Sequence, residues 1–197
     1  MRNDHTTIKR LVYSALFLAL ALVLPFPTGQ IPQIGSALSP MHIPVLLCGF
    51  VCGWPWGLAV GLIAPPLRYM LFGMPPAAVF IPMAFELAAY GAFSGILYRV
   101  LPKRTGYIYV SLIGAMILGR IVWGVAKFIQ AGLQSTTFPL SAFWAGAVVT
   151  AIPGIICHII LIPILVMALK KGGLMLNGEL ERRSGRARGA LSPDGAL

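Results

Sequence analysis

Acidic side chains are nearly missing from this chain. Five Asp and Glu stand against fifteen Lys and Arg, and between Asp4 and Glu179 the only carboxylate is Glu86. One carboxylate cannot make the paired acid and base of a hydrolytic site, nor an all-oxygen cation site. Charged residues of both signs make up 10% of the chain, whereas soluble domains carry about 25%. The chain therefore reads as an integral membrane protein. It has no Gly-Lys-Ser/Thr phosphate loop, so it cannot drive transport with ATP by itself, and it has neither a His-Glu-x-x-His metal motif nor a Gly-x-Ser-x-Gly elbow. An enzyme is not expected, and no metal or organic cofactor is expected. Cys48, Cys52 and Cys157 all fall in apolar stretches and read as small packing residues.

Apolar residues make up 58% of the chain, in six segments: Lys9 to Leu24, Met41 to Gly53, Trp56 to Phe72, Ala78 to Leu101, Tyr107 to Ala131 and Ser141 to Leu169. A transmembrane helix needs roughly 20 apolar residues, so the second segment is short and must be tilted or sheltered by its neighbours. The first has the basic start and apolar middle of a signal peptide, but no small-x-small cleavage site follows it, and it is read as a span. The net charge of +10 comes from clusters at membrane edges (Lys9 and Arg10; Arg99, Lys103 and Arg104; Lys170 and Lys171) and in the C-terminal tail. This is a positive-inside distribution with affinity for anionic lipid, not a nucleic-acid surface. The expected architecture is an all-α membrane protein, a six-transmembrane-helix bundle with both termini cytoplasmic. Residues 1–171 form the embedded domain, and residues 172–197 a basic cytoplasmic tail without periodic apolar pattern.

Away from the segment edges, four Lys, Arg or Glu side chains fall inside these segments: Arg68, Glu86, Arg120 and Lys127. Each costs ~2.5–3.5 kcal/mol at bilayer depth on insertion scales. With this topology they gather in the outer half. Arg120, Trp123 and Lys127 share one stripe of the fifth segment, and His42 opens the second. Glu86 can pair with Arg68 or with Arg120, and either choice leaves two cations without an acidic partner. That surplus predicts a pocket for a small anion, built from Arg68, Glu86, Tyr90, Arg120, Trp123, Lys127, His42 and Trp144. The loop from Pro25 to Pro40, with Gln30, Gln33 and Ser36, is long enough to form a lid over it. His158 reads as a hydrogen-bonded packing residue, or as one member of a proton relay with Glu86. In the second case the protein would be a stand-alone proton-coupled carrier.

Small residues recur four apart at Ala15 and Ala19, Gly49 and Gly53, Gly57 and Gly61, Ala84 and Ala88, Gly91 and Gly95, and Ala147 and Ala151. Such ridges let helices approach closely in lipid. Most serve the bundle itself. Ala15 and Ala19, on a helix with almost no polar side chains, are the best placed for docking a second membrane protein.

Several stretches together resemble the substrate-binding S components of energy-coupling factor (ECF) vitamin transporters. They are Ala15-Leu16-Phe17-Leu18-Ala19, the run from Leu38 to Leu47, Trp54-Pro55-Trp56-Gly57 through Gly61, and Met83-Ala84-Phe85-Glu86 through Gly91. The likeness runs from about Lys9 to Lys171. It implies a multi-pass protein of a prokaryotic cell membrane that captures a vitamin from outside. The family's first helix docks through its Ala pair onto a membrane coupling protein (the T component), and two cytoplasmic ATPases supply the energy. Within the family the chain looks closest to members assigned to pantothenate, a small carboxylate that Arg120 or Lys127 would hold. Riboflavin, pyridoxine or a queuosine precursor are the other candidate substrates.

Overall fold

The computed structural model describes residues 2–26, 39–102, 104–136, 139–149 and 151–177, and no strand occurs among them. The helices are α1 (Arg2–Val23), α2 (His42–Cys52), α3 (Trp54–Phe72), α4 (Ala77–Val100), α5 (Thr105–Leu133), the short α6 (Leu140–Trp144) and α7 (Ile152–Lys171). A π-helical turn, Ala145–Val149, follows α6. Four of them are long and apolar enough to cross a membrane: α1 from His5 onward, α4, α5 and α7. Large apolar side chains stay exposed along α1, α5 and α7, among them Leu16, Val125 and Ile160. In a membrane protein these faces meet lipid, where a helix already satisfies its own backbone.

The expected sixth segment is divided. Pro153 sits in the first turn of α7. It has no N–H to give to the carbonyl four residues back, and its ring crowds that carbonyl. Pro65, Pro66, Pro82 and Pro163 lie inside continuous helices, whereas Pro153 falls at a helix start, the position that suits a proline, and Phe143 and Trp144 sit on a separate short element before it.

The second segment is sheltered, as its length requires. All eleven residues of α2 are buried, with α1, α3, α4 and α7 packed around it. Leu46 and Phe50 of α2 join Leu87 and Tyr90 of α4, Leu112 of α5, and Ile162 and Val166 of α7 in one core. The closest pair of helices is α3 and α4. A Cβ placed on Gly57 would strike the Gly91 carbonyl, and one on Gly91 would strike that of Gly57. This contact is backbone on backbone, so nothing flexible can yield. The glycine ridges are thus internal packing surfaces. Ala15 and Ala19, in contrast, lie exposed on α1.

The bundle extends past residue 171. The Leu176 N–H donates to the Val51 carbonyl at 2.9 Å, and the Leu176 carbonyl accepts from Arg10 Nη2 at 2.8 Å. Asn177 Nδ2 donates to the carbonyls of Gly95 at 3.0 Å and Gly49 at 3.4 Å. Leu176 is itself buried. Residues 172–177 therefore belong to the folded body, tying the ends of α1, α2 and α4 together. Residues 178–197 lie outside the described residues, as do Gln30, Gln33 and Ser36 of the expected lid.

Candidate functional site

The site begins at a turn. Ser39, with a positive φ of 44°, directs its carbonyl at His42. It accepts both the His42 backbone N–H at 3.0 Å and the ring Nδ1 at 3.1 Å. A carbonyl only accepts, so Nδ1 carries a hydrogen and Nε2 points inward. There it stands 3.7 Å from Glu86 Oε1 on α4. Glu86, 3% exposed, is paired with Arg120 of α5, whose Nη1 lies 2.9 Å from Oε1. Of the two partners open to Glu86 in sequence, the fold selects Arg120.

Tyr90 lies one turn further along α4, its ring centroid 5.3 Å from that of His42. His158 of α7 stacks on the other side of His42 at 5.9 Å. Gly119 makes room for Tyr90, because a Cβ there would enter the tyrosine ring. Four buried polar atoms in this cluster lack a hydrogen-bond partner among the described residues: His42 Nε2, Glu86 Oε1, Tyr90 Oη and Arg120 Nε. The Arg120–Glu86 contact is thus a close ion pair without a well-aligned hydrogen bond. Most buried polar groups are satisfied, and a cluster of orphans marks a place for a further guest.

Above the cluster lies a cavity of about 420 Å³. α5 supplies one wall through Ile113, Met116, Ile117, Arg120 and Ile121, the i, i+3, i+4, i+7, i+8 stripe of a helix face. α7 supplies Ile155 and Ile159, α6 supplies Phe143 and Trp144, and α4 supplies Tyr90. The cavity exists because α5 packs extensively on α4 but only lightly on α7. Trp144 is 57% exposed, so it stands at the mouth. Arg120 retains 20% side-chain exposure and carries the one formal charge on the wall. A mostly apolar pocket with few placed polar groups is the usual form of a small-molecule site.

The expected site residues divide into four groups. Tyr90, Arg120 and Trp144 line the cavity, and Glu86 and His42 lie behind Arg120 and Tyr90. Trp123 stands beside the cavity, 6.3 Å from the Phe143 ring, and a Cβ on Gly146 would press on its indole. Arg68 and Lys127 are elsewhere. Arg68 Nη1 donates to the Leu22 carbonyl near the end of α1, and its guanidinium lies 5.0 Å from the Phe26 ring centroid and 5.6 Å from that of Phe72. Lys127 Nζ donates to the Ala78 carbonyl at 2.8 Å and to Gln130 Oε1 at 3.4 Å. Ala78 precedes Pro82 by four residues, and proline has no N–H to offer it. The two cations without acidic partners are therefore held by backbone carbonyls, and the expected cationic surplus does not collect at the cavity. Met116, Ile155 and Ile159 were not anticipated. The stripe through Arg120 could have pointed to Met116, whereas nothing in α7 distinguishes Ile155 and Ile159 from lipid-facing isoleucines.

Residues 9–166 match the family model described as ECF transporter, substrate-specific component. The chain belongs to that family. This S component is also 26% identical over 146 residues to the thiamine transporter ThiT of Bacillus subtilis (strain 168), a match covering 69% of this chain and 76% of that protein. No solved structure matches the chain. The S component is accordingly a membrane transport subunit and not an enzyme.

Proposed function

We propose that this S component captures a vitamin in the cleft between α4, α5 and α7, and that an anionic acceptor on the ligand takes Arg120. Pantothenate is the first candidate. The observation that carries this reading is the Arg120 guanidinium on an otherwise apolar wall. A guanidinium is a rigid, permanently charged fork suited to a carboxylate, and low polarity around it strengthens the contact. Isoleucines and Trp144 would cover the aliphatic remainder of the ligand.

A second reading has specific support. The relative is a thiamine transporter, and Phe143 and Trp144 could offer ring faces to a cationic heteroaromatic ligand. Glu86 could balance the ligand's charge only where Arg120 turns away from it.

Loops without Lys or Arg between α1 and α2, α3 and α4, and α5 and α6 support an outward-facing mouth, with both termini in the cytoplasm of a prokaryotic cell. The exposed Ala15 and Ala19 would receive the membrane coupling protein, with two ATPases below it.

The test is a thermal-shift panel on the purified protein, with pantothenate, thiamine, riboflavin and pyridoxine. A ligand at one hundred times its Kd adds about 2.7 kcal/mol by mass action. We expect pantothenate to raise the midpoint and Arg120→Met to remove that rise. A rise with thiamine and none with pantothenate would replace the first reading with the second. Uptake in a host without the coupling protein and ATPases would favour a stand-alone proton-coupled carrier.

A further inference from the structure

The polar cluster behind the cavity holds an acceptor facing an acceptor. With Nδ1–H committed to the Ser39 carbonyl, a neutral His42 turns the Nε2 lone pair toward Glu86 Oε1 at 3.7 Å. Neither atom has a hydrogen-bond partner among the described residues. The gap is too short for a water between them, so a proton on Nε2 is the smallest guest that turns this contact into a bond. Closing it to a charge-assisted N–H···O needs an approach of about 0.8 Å.

We propose that His42 is a proton-binding site linked to the ligand: when a ligand carboxylate draws Arg120 away from Glu86, His42 Nε2 takes up one proton from solvent and replaces Arg120 as the counter-charge. This rests on the carboxylate reading above. One added proton closes the charge balance. Arg120 and Glu86 are neutral together, so a monoanionic ligand leaves the site one charge negative, and one proton restores neutrality. Glu86 is 3% exposed, and a buried carboxylate deprived of its partner is strongly destabilising. Histidine is the side chain that changes charge most readily between about pH 5 and 8.

The other ionisable groups around His42 leave it this role. α4 offers Glu86 and Tyr90, α5 offers Arg120, and α7 offers His158, stacked on the imidazole at 5.9 Å. On α1, Arg10 is bonded to Leu176, and on α3, Arg68 is bonded to Leu22. Cys48 and Cys52, on α2 itself, lie further along the helix. Of these, His42 alone places a ring nitrogen that can accept a proton against Glu86 Oε1.

The experiment is isothermal titration of pantothenate into the purified full-length protein, in buffers of different ionisation enthalpy, across about pH 5 to 8. The slope of heat against buffer enthalpy counts protons. Wild type should take up as much as one proton per ligand. Because the complex holds more protons than the free protein, affinity should fall as pH rises, by up to about tenfold per unit. His42→Gln should bind more weakly, with no uptake and a flat profile. NMR of labelled histidine in wild type reads the same event without a variant. Binding with buffer-independent heat would overturn this inference and leave the Arg120 reading standing. Uptake that survives His42→Gln would assign the proton to another group and overturn it too. No binding of pantothenate at all would remove both.

Discussion

Breaking the Arg120–Glu86 pair should be far more costly than replacing it. At 2.9 Å and an effective dielectric of ~20, the gross attraction is about 6 kcal/mol. Desolvating each ion costs several kcal/mol, so the pair as a whole contributes little net stability. Removing one member is different, because the other then stays buried without its counter-charge, at a cost of about 3–5 kcal/mol. Glu86→Gln preserves shape and removes the charge that Arg120 faces. Arg120→Met removes the fork and leaves a carboxylate that is 4% exposed in its side chain, with only a proton on His42 to offset it. The second should be the worse of the two, since Arg120, at 20%, retains some access to solvent in the cavity.

For a chain of this size about 3–5 kcal/mol corresponds to a lowering of the unfolding midpoint by about 6 to 20 °C. The assay is a double-mutant cycle in one detergent or nanodisc, reading thermal midpoints of wild type, Glu86→Gln, Arg120→Met and the double variant. The double variant should sit well above the sum of the singles, with a coupling energy of about 1–3 kcal/mol. Singles that add without coupling would refute the account of the pair, whatever their individual sizes.

Lys127→Met should remove the exposed hydrogen bond to the Ala78 carbonyl that Pro82 leaves open, costing about 0.5–1.5 kcal/mol, while Lys127→Arg restores most of it; thermal midpoints of the two variants check this. Gly91→Ala should lower the midpoint through the backbone collision with Gly57, at about 1–3 kcal/mol, and Gly57→Ala should behave alike. Ending the chain at Lys171 should loosen the α2 end, raising amide exchange near Val51 relative to a chain ending at Asn177. Bulky replacements at Ala15 and Ala19 should block co-purification of the coupling protein while leaving ligand-induced thermal shifts intact; normal uptake by that variant would remove α1 from the docking role.

The helical bundle was legible because its causes are local. Length and hydropathy marked the spans, and an eleven-residue α2 had to be buried because it is too short to face lipid throughout. Glu86 was legible as an ion-pair member, and its partner was narrowed to Arg68 or Arg120. Charge counting failed at Arg68 and Lys127, because it looks for carboxylates and these cations bind carbonyls. The Lys127 case could have been found: Pro82 announces a free acceptor at Ala78, and only the approach of α5 to that turn was invisible. The Leu22 acceptor for Arg68 was less accessible, since it depends on how α1 ends against α3. Pro153 was visible as a possible break in the sixth segment, yet the segment was read as continuous. Leu176 and Asn177 were hidden in a basic, aperiodic stretch, because their bonds go to backbone groups that no side-chain pattern encodes.

The distribution of the four membrane charges separates structure from recognition. Arg68 and Lys127 sit where helix ends or a proline leave carbonyls open, so removing either exposes a backbone defect of the bundle. Arg120 and Glu86 sit behind a cavity, with hydrogen-bonding capacity left over on Arg120 Nε and Glu86 Oε1. A pair kept for stability alone would gain from filling that capacity, or from apolar replacement. Leaving it unfilled beside a cavity of about 420 Å³ makes the pair soft in one direction, toward the cavity. A guanidinium poised between an internal carboxylate and an external one can move by exchanging partners without ever lacking a counter-charge. His42 is placed to keep the abandoned carboxylate neutralised during that exchange, which is why the pair and the histidine have to be read as one unit.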